Sequence, residues 1–195
     1  MQTVFLKPTT SEITVTADTC YVLDMTGSVD AHLKLYLATQ GVAAKVIAAY
    51  KGIKEAPIKL IVETIHTVPH TTCTTEVKGA LFDDSFSSFE GRIIIKKAAQ
   101  QTASYLEHDV VVLGNNTKNE SRPVLEIDAN DVKASHGATT GRIDNLQLFY
   151  LKSRGLSDEE AKKLILLGFF NSLLVQIPDE AIRQRVLASL GVDHV

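Results

Sequence analysis

At 195 residues, with 45% apolar and 22% charged side chains, the chain is long enough for one domain with a real core and has the composition of an ordinary globular protein. A formal charge of -3 argues against broad electrostatic capture of nucleic acid or of an anionic membrane. Two distant cysteines make neither a disulfide framework nor a zinc ribbon, and residues 1–8 lack a basic start followed by a long apolar run, so a reducing cytoplasm is the expected compartment.

The first two thirds read as short β-branched runs. Ile13-Thr14-Val15-Thr16 alternates with period two, as do Leu33, Leu35 and Leu37, and then Ile58, Leu60 and Val62. Ile93-Ile94-Ile95, Val110-Val111-Val112-Leu113 and Val124-Leu125-Glu126-Ile127 predict strands buried on one or both faces. Gly27, Gly41, Gly52, Gly79, Gly91 and Gly114 lie between or beside these runs as turn markers. No Asn-Gly or Asp-Gly turn joins two strands, which favours a parallel β-helix over a sandwich, although no exact repeat is legible. Residues 42–50 and 96–106 are rich in Ala, Lys and Gln. Local propensity favours helix there, but the surrounding pattern keeps them as β coils.

After Gly141 the pattern turns helical. Asp144 with Gln147 suits a helix start, and residues 146–151 with Ile143 supply its apolar face. Gly155 is placed as a left-handed stop. Ser157-Asp158-Glu159-Glu160 predicts a capped second helix carrying Leu164, Ile165 and Phe169. Its apolar stretch is interrupted by Asn171, Ser172 and Gln176, too short and polar to span a membrane. Pro178 opens a last helix with Ile182, Val186 and Leu190 on one face, ending at Gly191. The expected organisation is a β domain over residues 1–141 and a helical one over 142–195.

Chemical motifs are few. No phosphate-cradling glycine loop is present, so no nucleotide is expected on this chain, and neither a Gly-x-Ser-x-Gly elbow nor a His-Glu-x-x-His pair occurs. What remains is a scatter of metal ligands. Imidazole at His66, His70, His108 or His136 suits first-row metals, and thiolate at Cys73 suits iron, zinc or persulfide sulfur. His66, His70 and Cys73 lie in one short run but meet no complete spacing rule for a metal site; hydrogen-bonded loop histidines and a buried thiol account for them equally. Glu107 and Asp109 beside His108 suit a solvated strand end, and Glu126 and Asp128 share an exposed strand face. His136, beside Gly137 and near Gly141, reads either as a turn histidine or as a ligand.

A longer series lies across the same residues. It comprises Pro69-His70-Thr71, Lys78-Gly79, Phe89-Glu90-Gly91-Arg92-Ile93, Ala99-Gln100-Gln101-Thr102, Leu113-Gly114 and Pro123-Val124-Leu125-Glu126-Ile127. It continues through Asp131-Val132-Lys133, Ser135-His136-Gly137-Ala138-Thr139 and Leu148-Phe149-Tyr150-Leu151-Lys152-Ser153-Arg154-Gly155. In order and spacing this series resembles the SufB/SufD family, the scaffold subunits of SUF iron-sulfur cluster assembly. The resemblance implies a right-handed parallel β-helix followed by a small helical C-terminal domain. It further implies that the helices dock a SufC-type ABC ATPase and that the β-helix pairs with a SufB-like subunit or a second copy. A transient iron-sulfur cluster, or its iron and sulfide precursors, would form near that pairing surface.

His136 falls on the histidine of the family's Ser-His-Gly-Ala-Thr motif, the first expected ligand, with His108 and Cys73 behind it. His108 stands where SufB-like members carry cysteine, and Gly137 where they carry glutamate, so the chain resembles a compact SufD-like member. Fe-S clusters are usually held by four thiolates, so with two cysteines one or two ligands from this chain would be completed by a partner. The expectation is a non-catalytic scaffold. Its rivals are a metal-free adaptor of the ATPase and a β-helix enzyme of lyase or acyltransferase type.

Overall fold

The computed structural model describes residues 1–192. Among these, eleven strands come first: β1 (Gln2–Leu6), β2 (Ser11–Val15), β3 (Thr19–Leu23), β4 (Val29–Leu37), β5 (Ala43–Gly52), β6 (Ile58–His66), β7 (Thr72–Leu81), β8 (Phe86–Ile95), β9 (Thr102–Val112), β10 (Lys118–Ile127) and β11 (Val132–Arg142). Helices α1 (Asn145–Ser153), α2 (Asp158–Leu174) and α3 (Glu180–Leu190) follow. Odd strands form one sheet in the order β1-β3-β5-β7-β9-β11, and even strands a second in the order β10-β8-β6-β4-β2. Every pairing is parallel. The chain thus winds between two sheets as a β-solenoid, each strand of one sheet serving as the crossover that parallel pairing in the other requires. Consecutive strands never pair, which explains the missing hairpin turns.

Register stacks like positions into columns. Ala43 lies opposite Thr72, Thr72 opposite Ala103, and Thr102 opposite Val132. Alternate residues point inward, so Leu33, Leu35, Leu37, Leu60, Val62, Phe89 and Ile93 fill the interior of the coil. A second apolar cluster lies on the outside of the odd-strand sheet. There Cys20, Val22, Ile47, Ala49 and Ala80 are covered by Leu166, Phe170, Leu173 and Leu174 of α2 and by Val186 and Leu190 of α3. This cover explains the Ala-rich run at β5. Ala44, Val46, Ala48 and Tyr50 face inward while Ile47 and Ala49 face the helices, so nearly every position is apolar. Residues 96–101 form the turn before β9, with Gln101 at φ 58°.

Three glycines expected in turns belong to strands instead: Gly52 closes β5, and Gly79 and Gly91 lie inside β7 and β8. A Cβ at Gly79 would strike the Tyr50 ring, and one at Gly91 would strike Leu106. Both make room for a large neighbour on the next coil. In α2 the buried face is Ala161, Leu166, Phe170, Leu173 and Leu174, with Leu164 left exposed, one position on from the expected stripe. The caps of α1 and α2 and the end of α3 match the sequence, while α3 starts at Glu180, two residues beyond the expected Pro178. Ser157 and Glu160 form a capping box, Asp144 and Asp179 cap α1 and α3, and Gly191 ends α3 at φ 66°.

Candidate functional site

His136 lies on β11, the outermost strand of its sheet. On one side it pairs with Leu106 of β9; on the other no described strand covers the backbone. Leu106 points inward and is buried, so His136 continues the interior column that runs through Tyr21, Val46, Thr75 and Leu106. The column ends at this rung, and the imidazole is exposed. Its inward neighbours Ala134 and Ala138 are small, and no atom lies within 4 Å of the place a Cβ on Gly137 would occupy. An imidazole therefore stands on an open strand edge, where backbone groups also await partners.

His108 occupies the same face of β9, opposite Ala138, but it is fully buried. Its Nε2 is hydrogen-bonded to Tyr50 Oη at 3.0 Å and its Nδ1 to Ser121 Oγ at 2.8 Å, with the Phe89 ring centred 4.6 Å away. Burial pushes the imidazole down to about 4, against the upward pull of Asp109. Neutral imidazole has one donor and one acceptor nitrogen, and both are in use here. Beside it, Ser87 Oγ donates to Asn119 Oδ1 at 2.7 Å and Asn119 Nδ2 donates to Thr140 Oγ1 at 2.8 Å. Two polar chains thus run from the interior to the last rung.

The run from His66 to Cys73 does not converge. Cys73 faces the interior of β7, and burial pushes its thiol up to about 12. His66 faces the interior of β6, its ring nitrogens engaged by Thr71 Oγ1 at 2.8 Å and Ser104 Oγ at 3.2 Å, and burial holds it down at about 4. His70 lies exposed in the turn between them with φ 61°. Glu126 sits on the outer face of β10, 3.6 Å from Arg92. Among the described residues no three His, Cys, Asp or Glu side chains gather as a metal site.

At the helical end, α1 buries none of its residues. Leu146 is 76% exposed, Phe149 71% and Tyr150 56%, so much of the expected apolar face points to solvent. Lys152 holds α1 against α2 through Asp158 at 2.8 Å. Lys152 and Lys162 hold the Asp158 carboxyl down at about 2. Among the described residues no helix is long and apolar enough to cross a membrane.

Sequence reasoning missed Tyr50, Ser121, Ser87, Asn119 and Thr140 as a group. Their shared inward face becomes visible only once the coil register is known.

Against known proteins, residues 20–169 match the family model for the SUF system FeS cluster assembly, SufBD core domain. The iron-sulfur cluster assembly protein SufD of Escherichia coli is 38% identical over 114 residues, 58% of this chain and 27% of that protein. An iron-sulfur cluster assembly SufBD family protein of Mycobacterium leprae is 36% identical over 131 residues, 62% of this chain and 33% of the relative. For SufD of Bacillus subtilis the identity is 34% over 110 residues, 56% of this chain and 25% of that protein. The matched segment spans 25–33% of the length of these relatives.

Proposed function

The chain belongs to the SufBD family of SUF iron-sulfur cluster assembly, and on that premise we propose that it is a non-catalytic, cytoplasmic scaffold subunit. Its open solenoid edge pairs with a SufB-like subunit or a second copy, and its helices bind a SufC-type ABC ATPase. The observation that carries this reading is His136, an exposed imidazole in the middle of an edge strand with one side uncovered by any described strand. Pairing along β11 would bring a partner strand within one sheet spacing, about 4.8 Å, of the backbone that carries that imidazole. Iron, sulfide or a transient cluster is the cargo of such a seam, with the remaining ligands supplied by the partner.

His108 and Cys73 enter this scheme differently. Each is buried and facing inward, so either would become a ligand only after the last rungs open. Nucleotide-driven closure of the ATPase subunits would supply that opening by straining the paired edges, which form the two-state element of the mechanism. The exposed face of α1 is the docking surface for the ATPase, since it presents Leu146, Phe149 and Tyr150 on a helix fastened to the body.

One observation favours a metal-free adaptor instead: both ring nitrogens of His108 and the thiol of Cys73 are sequestered. Anaerobic iron and sulfide titration of the assembled complex separates the two readings. The scaffold reading expects His136→Ala to abolish most of the cluster absorbance while ATPase co-purification is unchanged. Equal loading of the native and variant complexes would remove the ligand role.

A further inference from the structure

The Lys78-Gly79 pair stands out in the sequence, yet the seam and the docking face leave Lys78 without a role. Gly79 is explained by the Tyr50 ring that crosses it. Lys78 points the other way, to the outer face of β7 beneath α2. Its Nζ donates to the Phe169 carbonyl at 3.2 Å and to Ser172 Oγ at 2.7 Å, and lies 4.7 Å from the centre of the Phe169 ring. Two further contacts fasten the turn just after α2. Lys45 Nζ donates to Gln176 Oε1 at 2.7 Å, and Gln176 Nε2 donates to Glu76 Oε2 at 2.7 Å.

The outer face continues toward the open edge. Lys78 lies opposite Asp109 on β9, and Asp109 lies opposite Thr139 on β11. Thr139 Oγ1 donates to Asp109 Oδ1 at 2.5 Å. Lys78, Asp109 and Thr139 are thus register neighbours on one outer face, between α2 and the strand that carries His136. At the far end α2 is tied to α1 through Asp158 and Lys152. We infer that Lys78 is a positioning residue that couples the placement of α2 to the order of β11.

The physical basis is that the ammonium is held by acceptors on α2 while its strand position is the register neighbour of Asp109. While α2 is seated, Lys78 is held against Phe169 and Ser172, and its charge stands one strand from the Asp109 carboxylate that anchors Thr139. Moving the helix frees the ammonium to shift, which changes the field at Asp109 and the hold on Thr139. The coupling deepens the scaffold reading by naming how a partner on the helices reaches the seam. The inference would survive failure of that reading, because it concerns the chain alone.

The test is hydrogen–deuterium exchange on the full chain without partner or metal, comparing native protein with Lys78→Met and Lys78→Arg. Met keeps the aliphatic stem and removes the charge. The expected result for Lys78→Met is exchange faster by about fivefold in residues 137–142 as well as in 167–176, with residues 118–127 of the neighbouring sheet within about twofold of native. Lys78→Arg restores slow exchange in residues 137–142. Acceleration confined to α2 overturns the coupling, and so does equal acceleration of β10 and β11, which marks a merely structural role. Should Lys78→Met fail to fold, Ser172→Ala removes one acceptor and must produce the same pattern at β11 in weaker form; no change there overturns the inference.

Discussion

His136 and His108 lie on neighbouring strands and share an inward face, but one has solvent and the other has two hydroxyl partners. The difference comes from the coil, since β11 is the last rung and β9 is not. Only Gly79 allows the Tyr50 ring to pass to His108, so Gly79→Ala is expected to lower unfolding free energy by about 2–3 kcal/mol, measured by urea denaturation. Trimming Tyr50 in the same chain should return part of that loss, and strict additivity of the two substitutions would contradict the steric account. The buried imidazoles also set a pH response. His66 and His108 are held near 4 in the fold, against 6.5 ordinarily, so the unfolded chain binds protons that the fold refuses. Their effect is absent above about 6.5 and lowers stability as pH falls toward 4, by up to roughly 3 kcal/mol for each ring. Asp158, held down at about 2, acts in a separate window below its ordinary value of 3.8. Urea midpoints that stay level between pH 7 and pH 4.5 would show that neither ring stays neutral. Spacing and composition could name these histidines as candidates but not rank them, because burial depends on which rung each strand occupies; only the family resemblance put His136 first.

At the scale of elements, local rules carried further. The capping box at Ser157, the Asp144 cap and the glycine end of α3 were legible, because each is decided within a few residues. Strands that alternate were legible for the same reason. β5 resembled a helix because burial on both faces removes the alternation and small residues fit beneath α2. The apolar face of α1 was legible too, but its direction was not, since propensity cannot tell a core from a solvent-facing surface. That exposure allows a cleaner test than truncation. Removing the helices strips the cover from Cys20, Val22, Ile47, Ala49 and Ala80, so lost ATPase binding would be confounded with damage to the body. Leu146→Asp with Phe149→Asp touches side chains that bury little, and unfolding free energy should change by less than about 0.5 kcal/mol. The same pair is expected to abolish co-purification with the ATPase. Retained co-purification would place the docking surface elsewhere.

For the whole molecule, the governing fact is that a solenoid of two sheets has ends. β10 and β11 form the last rung, and among the described residues no further coil stacks on their inward side chains. Leu125, Val132 and Ala134 are only partly buried against the interior, and Ile127, stacked on Ile95, is 40% exposed. An edge with free backbone groups and an apolar interior column is a surface that natural sheets either cover or pair. The family reading takes pairing as its use, with His136 carried into the seam. Ile127 offers a test that leaves the imidazole untouched. Replacing it with Lys puts a charge where a partner's rung would stack, while in the lone chain the ammonium reaches water. Ile127→Lys is therefore expected to shift the protein toward the monomer in sedimentation velocity by about tenfold in dissociation constant, about 1.4 kcal/mol, with thermal stability of the monomer little changed. Cluster loading should fall with the paired fraction, and restoring pairing at high protein concentration should restore it. Loading that persists in the monomer would show that no ligand from a paired partner is needed and would overturn the seam as the site.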